Sequence, residues 1–273
     1  MTFWSCVLEE LEPLLPIQFF DISWEVPHAL KFPGKLLRRS FKLPDTSELL
    51  NEERFAELFM AWNEEGLLID VHVDQPLCGA SYPDYKNGDA IELFIDTRDV
   101  ESGVATRFCH HFLILPEAVE GILYPNDLKS REFDKKAPQI WSGEADTSIA
   151  KLKKFSDGGG SKFGGCPTMS KTDFLSHLGI FQELTLLRTE ELRPLARQDQ
   201  VTVTTHTRPG TYQVLIEIAK EALYGFDPSS FDRLGFTYRI NRKGKRAQHF
   251  ALSSQEYTLE RQPDLWATLY LKK

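Results

Sequence analysis

The 273-residue sequence predicts an all-β fold: a single antiparallel β-sandwich of jelly-roll or immunoglobulin-like type spanning residues 1–273, with a long irregular insertion between its halves. Three observations predict it. Short stretches of strict apolar–polar alternation recur, as strands with one buried face require. Gly, Pro, Asn and Asp punctuate them at close intervals. No strand–helix–strand rhythm runs through the chain, which argues against the parallel α/β classes. A sandwich of this length as one domain is ordinary, and the chain is long enough to bury a sizeable core.

Residues 1–16 read as an N-terminal extension, a short helix or irregular piece. Leu8, Leu11, Leu14 and Leu15 fall near helical spacing, and Pro13 and Pro16 stop it. Residues 17–26 are aromatic and β-branched, a strand that Pro27 ends, with Trp24 expected in the core. Residues 55–74 predict a β-hairpin. Phe55 to Trp62 is apolar, 63–66 is the turn, and Leu67 to Asp74 then alternates, with Leu67, Ile69, Val71 and Val73 on one face. A loop over 75–88 closes at Asn87-Gly88. In the strand Ala90 to Thr97, Ile91, Leu93 and Ile95 face the core while Glu92, Phe94 and Asp96 face away. Thr106 to Leu115 is a further strand. Regularity then fades over 116–200, read as an insertion of loops with one helix or hairpin. Strands return at 201–206, 211–219, 234–241, 247–252 and 265–271, the last holding Trp266 as core.

Composition narrows the function classes. The net charge is −8, with 40 acidic residues against 32 Lys and Arg, so the chain's field repels phosphate backbones and nucleic acid is not an expected partner. No run is apolar enough to span a membrane as a helix. The first residues lack a secretory signal pattern, and Cys6, Cys78, Cys109 and Cys166 are scattered. Both features lead to an expectation of reduced thiols in a cytoplasmic protein, non-classical secretion aside.

Several chemistry-bearing patterns fall short of a motif. The glycine-rich run 157–165 lacks the Gly-Lys-Ser/Thr order of a phosphate loop. His110 and His111 are neighbours on a strand and point to opposite faces, so they do not share one metal ion. There is no Gly-x-Ser-x-Gly. Glu92 and Asp96 lie four residues apart along a strand, too far to act as a carboxylate pair unaided.

The outward sides of the strands are more informative. They carry Asp70, His72, Glu92, Asp96, Arg239 and Asn241, with Arg107 near the start of a strand. Such a face is either an ordinary solvated sheet surface or a surface that hydrogen-bonds a hydroxyl-rich ligand. Trp62, Tyr82 and Trp141 sit beside turns or in loops, where aromatic rings can stack on a flat ligand.

The run Trp62-Asn-Glu-Glu-Gly-Leu-Leu-Ile-Asp-Val-His-Val-Asp74, followed by Gly88-Asp-Ala-Ile-Glu-Leu-Phe-Ile-Asp96, resembles the paired strands of family 9 carbohydrate-binding modules and DOMON-like sandwiches. Gly210 to Ile218, Leu234 to Asn241 and Gln262 to Leu271 resemble the later strands of that family in order and spacing. Residues 95–99 with 107–112, and 225–228 with 233–238, look similar to a group of bacterial proteins carrying this module alone. The resemblance covers about three quarters of the chain. It implies a sandwich that binds sugars between aromatic side chains, often with a structural calcium ion.

The reading that follows is a non-catalytic module for a carbohydrate or another small polar ligand. Its site would be Trp62, Asp70, His72, Tyr82, Glu92, Asp96, Arg107, Trp141, Arg239 and Asn241. Two alternatives stand beside it: a protein-interaction or structural module that docks a partner through 116–200, and a hydrolase using Glu92 or Asp96.

Overall fold

The computed structural model describes residues 22–30, 39–117, 119, 175–186 and 193–273. The proposed helix near the N-terminus, Trp141 and the glycine-rich run 157–165 lie outside these residues.

The described chain is a β-sandwich. One sheet has the order β1 (Ser23–Pro27), β12 (Ala267–Lys272), β10 (Arg233–Asn241), β4 (Ala90–Asp96), β5 (Cys109–Leu115), β7 (Ile180–Leu184), with the two-residue β11 (Gln248–His249) on β10. It is called here the front sheet. The back sheet has the order β2 (Ala56–Asn63), β3 (Gly66–Val73), β9 (Thr211–Ala219), β8 (Val201–Arg208), β6 (Leu175–Leu178). All pairings are antiparallel except β1 with β12, which run parallel.

The alternation seen in the sequence fills the space between the sheets. Ile91, Leu93 and Ile95 of β4 and Phe236 and Ile240 of β10 meet Met60, Ile69 and Ile216 of the back sheet, all fully buried. Each such side chain contributes about 1.5–3 kcal/mol of burial. The β2–β3 hairpin turns through Glu64 and Glu65, and Asn63 Oδ1 accepts the Glu65 N–H at 2.9 Å. Gly66 closes it with φ +146°, and a Cβ there would lie 2.0 Å from the Ile218 carbonyl oxygen, so only glycine fits.

Within the stretch expected as an irregular insertion, residues 175–184 belong to the sandwich. β6 pairs with β8 in the back sheet, and β7 pairs with β5 in the front sheet. The chain crosses between sheets at Gly179, whose N–H donates to the Val203 carbonyl at 3.0 Å. A Cβ on Gly179 would sit 2.5 Å from Val203 Cγ1 and 2.7 Å from the Leu115 oxygen. Two strands this short give no alternation long enough to read.

Other expectations need correction. Trp24 was expected in the core, but β1 is an edge strand and Trp24 is 44% exposed. Trp266, by contrast, is buried as expected, in a second apolar cluster on the outer side of the front sheet, with Phe94, Leu252 and Leu259. The strand expected over 247–252 ends at His249, because Ala251 takes a left-handed conformation with φ 63°. Cys78 is disulfide-bonded and not a free thiol.

Candidate functional site

Sheet register brings the outward polar residues of the front sheet together. Glu92 on β4 lies directly opposite Arg239 on β10, and Asn241 follows two residues further along β10. His111 on β5 is opposite Phe94, one outward position from Glu92. Residues directly opposite on one face have Cβ atoms about 5 Å apart, which suits ion pairs and hydrogen bonds.

Four donors converge on the Glu92 carboxylate. Arg239 donates through Nε to Oε1 and through Nη2 to Oε2, both at 2.6 Å. Asn241 Nδ2 donates to Oε1 at 2.7 Å, and His111 Nε2 lies 3.0 Å from Oε2. Arg239 also donates to Glu260 Oε1 at 2.9 Å. The His111 ring stacks on Phe94 at 4.2 Å between centroids. Burial alone would raise the Glu92 pKa, but the hydrogen bonds from His111 and Arg239 and the guanidinium charge outweigh it and bring it down to about 2. Arg239 is correspondingly held protonated: burial acts against its charge, and the bond to Glu92 overcomes that.

The cluster is a polar seam between two apolar patches. On one side, Tyr82 and Tyr85 of the 75–88 loop pack against Ala90, Leu113 and Leu115. On the other lies the Phe94–Trp266 cluster under the 250–266 segment. Tyr85 lies close enough to feel Glu92: burial, with the Glu92 charge next, pushes its hydroxyl up to about 12. Glu92, Arg239, Asn241 and His111 are buried, whereas Glu260 and Tyr85 are partly exposed and form the rim. Ionised Glu92 accepts the hydrogen bonds that Arg239, Asn241 and His111 donate.

Nine of the ten residues singled out from the sequence lie among the described residues, and these nine are not brought together in one place. Glu92, Arg239 and Asn241 meet as described, and Tyr82 lies in the apolar patch beside them. Asp96 is on the same face of β4 but spent on its own turn, accepting the Arg98 and Val100 N–H groups at 3.0 Å each. Asp70 and His72 are on the outer side of the other sheet, where Gln213 Nε2 donates to Asp70 at 2.8 Å and His72 packs on Phe59. Arg107 is in the loop before β5, near the Phe108 and Tyr224 rings. Trp62 is 1% exposed in the main core, its Nε1–H donating to the Val26 carbonyl at 3.0 Å, so it offers no ring face to solvent.

Tyr85, His111 and Glu260 complete the cluster. Tyr85 lies in the same 75–88 loop as Tyr82, and His111 becomes the outward neighbour of Glu92 once β4 and β5 are paired. Glu260 carried no sequence signal. His110 points inward, as adjacent strand residues must, to a separate buried network with Glu183 and Arg193. Among the described residues no group of three His, Cys, Asp or Glu is arranged to hold a metal ion. Asp99, the other carboxylate near Asp96, already accepts from Thr268 at 3.0 Å and faces Arg233, so these two acidic side chains do not fit a calcium site.

No protein-family model matches the sequence, and no curated protein matches it. Among solved structures, the chain superposes on a family 9 carbohydrate-binding module from Caldicellulosiruptor kristjanssonii. In the complex of that module with cellotriose the TM-score is 0.48 at 12% identity, covering 92% of this chain and 93% of that chain. In its complex with glucose the TM-score is 0.49 at 11% identity, covering 92% and 95%.

Proposed function

We propose that the chain is a carbohydrate-binding sandwich whose ligand seat is the Glu92–Arg239–Asn241–His111 cluster, with Glu260 and Tyr85 at the rim. The observation that carries this is the cluster's position. A charged pair with two further hydrogen-bonding side chains is buried on the outer face of a sheet, between aromatic patches, where apolar residues would serve stability as well. Sugars present hydroxyls and apolar ring faces in alternation, and a polar seam flanked by aromatic rings matches both. The sequence runs that resemble family 9 modules include Glu92, Arg239 and Asn241 themselves. At the rim Glu260 accepts from hydroxyls and Tyr85 covers a ring face, while the buried Arg239, whose Nη2 donates to both Glu92 and Glu260, holds Glu260 in place.

In this reading neither Glu92 nor Asp96 is the acid of a glycosidase. Hydrolysis of a glycosidic bond needs a carboxylic acid that is protonated near neutrality. Glu92 is held at about 2, and both Asp96 oxygens accept backbone N–H groups.

Calorimetric titration with glucose, xylose, cellobiose and longer β-glucans tests the proposal. At least one should bind with a millimolar or lower Kd. Glu260→Gln and Tyr85→Ala should each weaken it by about tenfold, the equivalent of ~1.4 kcal/mol. Absence of binding across the panel, or binding indifferent to both substitutions, would remove the assignment.

A further inference from the structure

One strand over from the Glu92 cluster, Ser254, His249 and Glu52 form a hydrogen-bonded relay. Ser254 Oγ lies 2.7 Å from His249 Nε2, and His249 Nδ1 lies 2.7 Å from Glu52 Oε1. A carboxylate only accepts, so in the neutral imidazole Nδ1 carries the proton. Nε2 then faces Ser254 with its lone pair, and the serine hydroxyl donates to it. Glu52 is held from two further directions: Oε2 accepts the His249 backbone N–H at 2.8 Å, and Oε1 accepts the Ser253 hydroxyl at 2.9 Å. Glu52 and His249 are buried at 0% and 1% side-chain exposure, while Ser254 is partly exposed. An orienting carboxylate and a base inside, with a hydroxyl at the surface, is the geometry of an activated serine.

The backbone that delivers the serine is strained. Ala251, with a Cβ, sits at φ 63°, and its N–H donates to Thr46 Oγ1 at 3.0 Å. This left-handed residue reverses the chain after β11, so Ser254 returns to the ring of a residue five positions earlier. His249 lies opposite Arg239 in the β10–β11 pairing, so the relay opens on the same face as the Glu92 cluster.

We propose that Ser254 is a nucleophile toward small acyl esters, with His249 as its general base and Glu52 as the positioning carboxylate. Ser254 Oγ attacks the ester carbonyl carbon while its proton passes to His249 Nε2. The ester's C–O bond then breaks, and the alcohol leaves with that proton. Water attacks the acyl-serine next, giving one proton to His249. The carboxylic acid departs and Ser254 Oγ recovers the proton. One ester and one water give one acid and one alcohol, with no change of oxidation state. This activity goes beyond sugar binding and does not rest on it.

The full chain is treated with a fluorophosphonate probe, then separately with p-nitrophenyl acetate. One covalent adduct is expected, mapped to Ser254 by peptide mass spectrometry. Ester hydrolysis above background is expected alongside it. Ser254→Ala should abolish both with an unchanged circular dichroism spectrum, and Ser230→Ala, in the turn after Asp227, should change neither. Glu52→Gln should slow labelling tenfold or more and shift its pH profile, which a purely structural carboxylate would not do. A wild-type chain that takes no adduct at Ser254, or hydrolysis undiminished in Ser254→Ala, overturns the proposal.

Discussion

Replacing Arg239 with Met keeps most of the side-chain volume and removes every donor it offers. Glu92 loses its two 2.6 Å hydrogen bonds and keeps only Asn241 and His111, at 0% exposure. The fall of its pKa from 4.5 to about 2 corresponds to roughly 3 kcal/mol of net preference for the ionised form, most of it owed to Arg239 and His111. Breaking a buried pair by deleting one partner costs about 3–5 kcal/mol, so Arg239→Met should lose that much stability at pH 7. The loss should depend on pH. In the wild type the folded Glu92 pKa lies below the unfolded one, so its contribution is present above the unfolded pKa and fades as pH falls from about 4.5 toward 2. In the variant the folded pKa rises above the unfolded value, and the folded state takes up the proton first. Between those two values the variant gains stability on acidification, so the gap between the two proteins narrows toward pH 4. Urea unfolding at pH 7, 5 and 4, followed by fluorescence and circular dichroism, reads this difference. Other groups, such as Asp99 near 6, cancel in it. A gap below about 1 kcal/mol at pH 7, or one that does not change with pH, would refute the reasoning.

Gly179→Ala should cost about 1–3 kcal/mol in the same assay, because its methyl would meet Val203 and the Leu115 carbonyl where the chain crosses between sheets. Trp62 and Trp24 should separate: Trp62→Ala by about 3–5 kcal/mol from the buried core, Trp24→Ala by under about 1 kcal/mol from an exposed edge strand. Cys109 is 2% exposed and burial pushes its thiol up to about 12. Iodoacetamide at pH 8 should therefore leave it unmodified in the native chain, and peptide mapping that finds it alkylated within minutes would contradict its placement.

The strands were legible because burial on one face writes a period of two into the sequence. Ile91, Leu93 and Ile95 alternate with Glu92, Phe94 and Asp96, and the register confirms the alternation residue by residue. That same signal says only that a side chain points outward; it does not say from which sheet. Asp70 and His72 were therefore grouped with Glu92 and Arg239, although β3 and β4 belong to different sheets. Trp62 ends its strand beside a turn, yet its parity with Met60 and Leu58 already placed it inward. Trp24 failed for the opposite reason: an aromatic strand at a sheet edge has only one neighbour to bury it. Glu260 and the Ser254–His249–Glu52 relay were invisible because their partners are brought in by the fold from distant parts of the chain. Glu52 lies 197 positions from His249. The short β6 and β7 were lost because each strand makes its pairing with a different sheet, and neither is long enough to show a period alone.

The central claim is that the buried cluster on the front sheet is a ligand seat and not merely an internal ion network. Heteronuclear NMR with a bound sugar tests it most directly, following the Arg239 Nε–H, the Asn241 side-chain amide and the His111 ring during titration. The account predicts that these signals move together and saturate with one Kd, while the Gln213 side-chain amide on the opposite face stays still. Saturable shifts confined to other surfaces, with the Arg239, Asn241 and His111 signals unmoved, would contradict it.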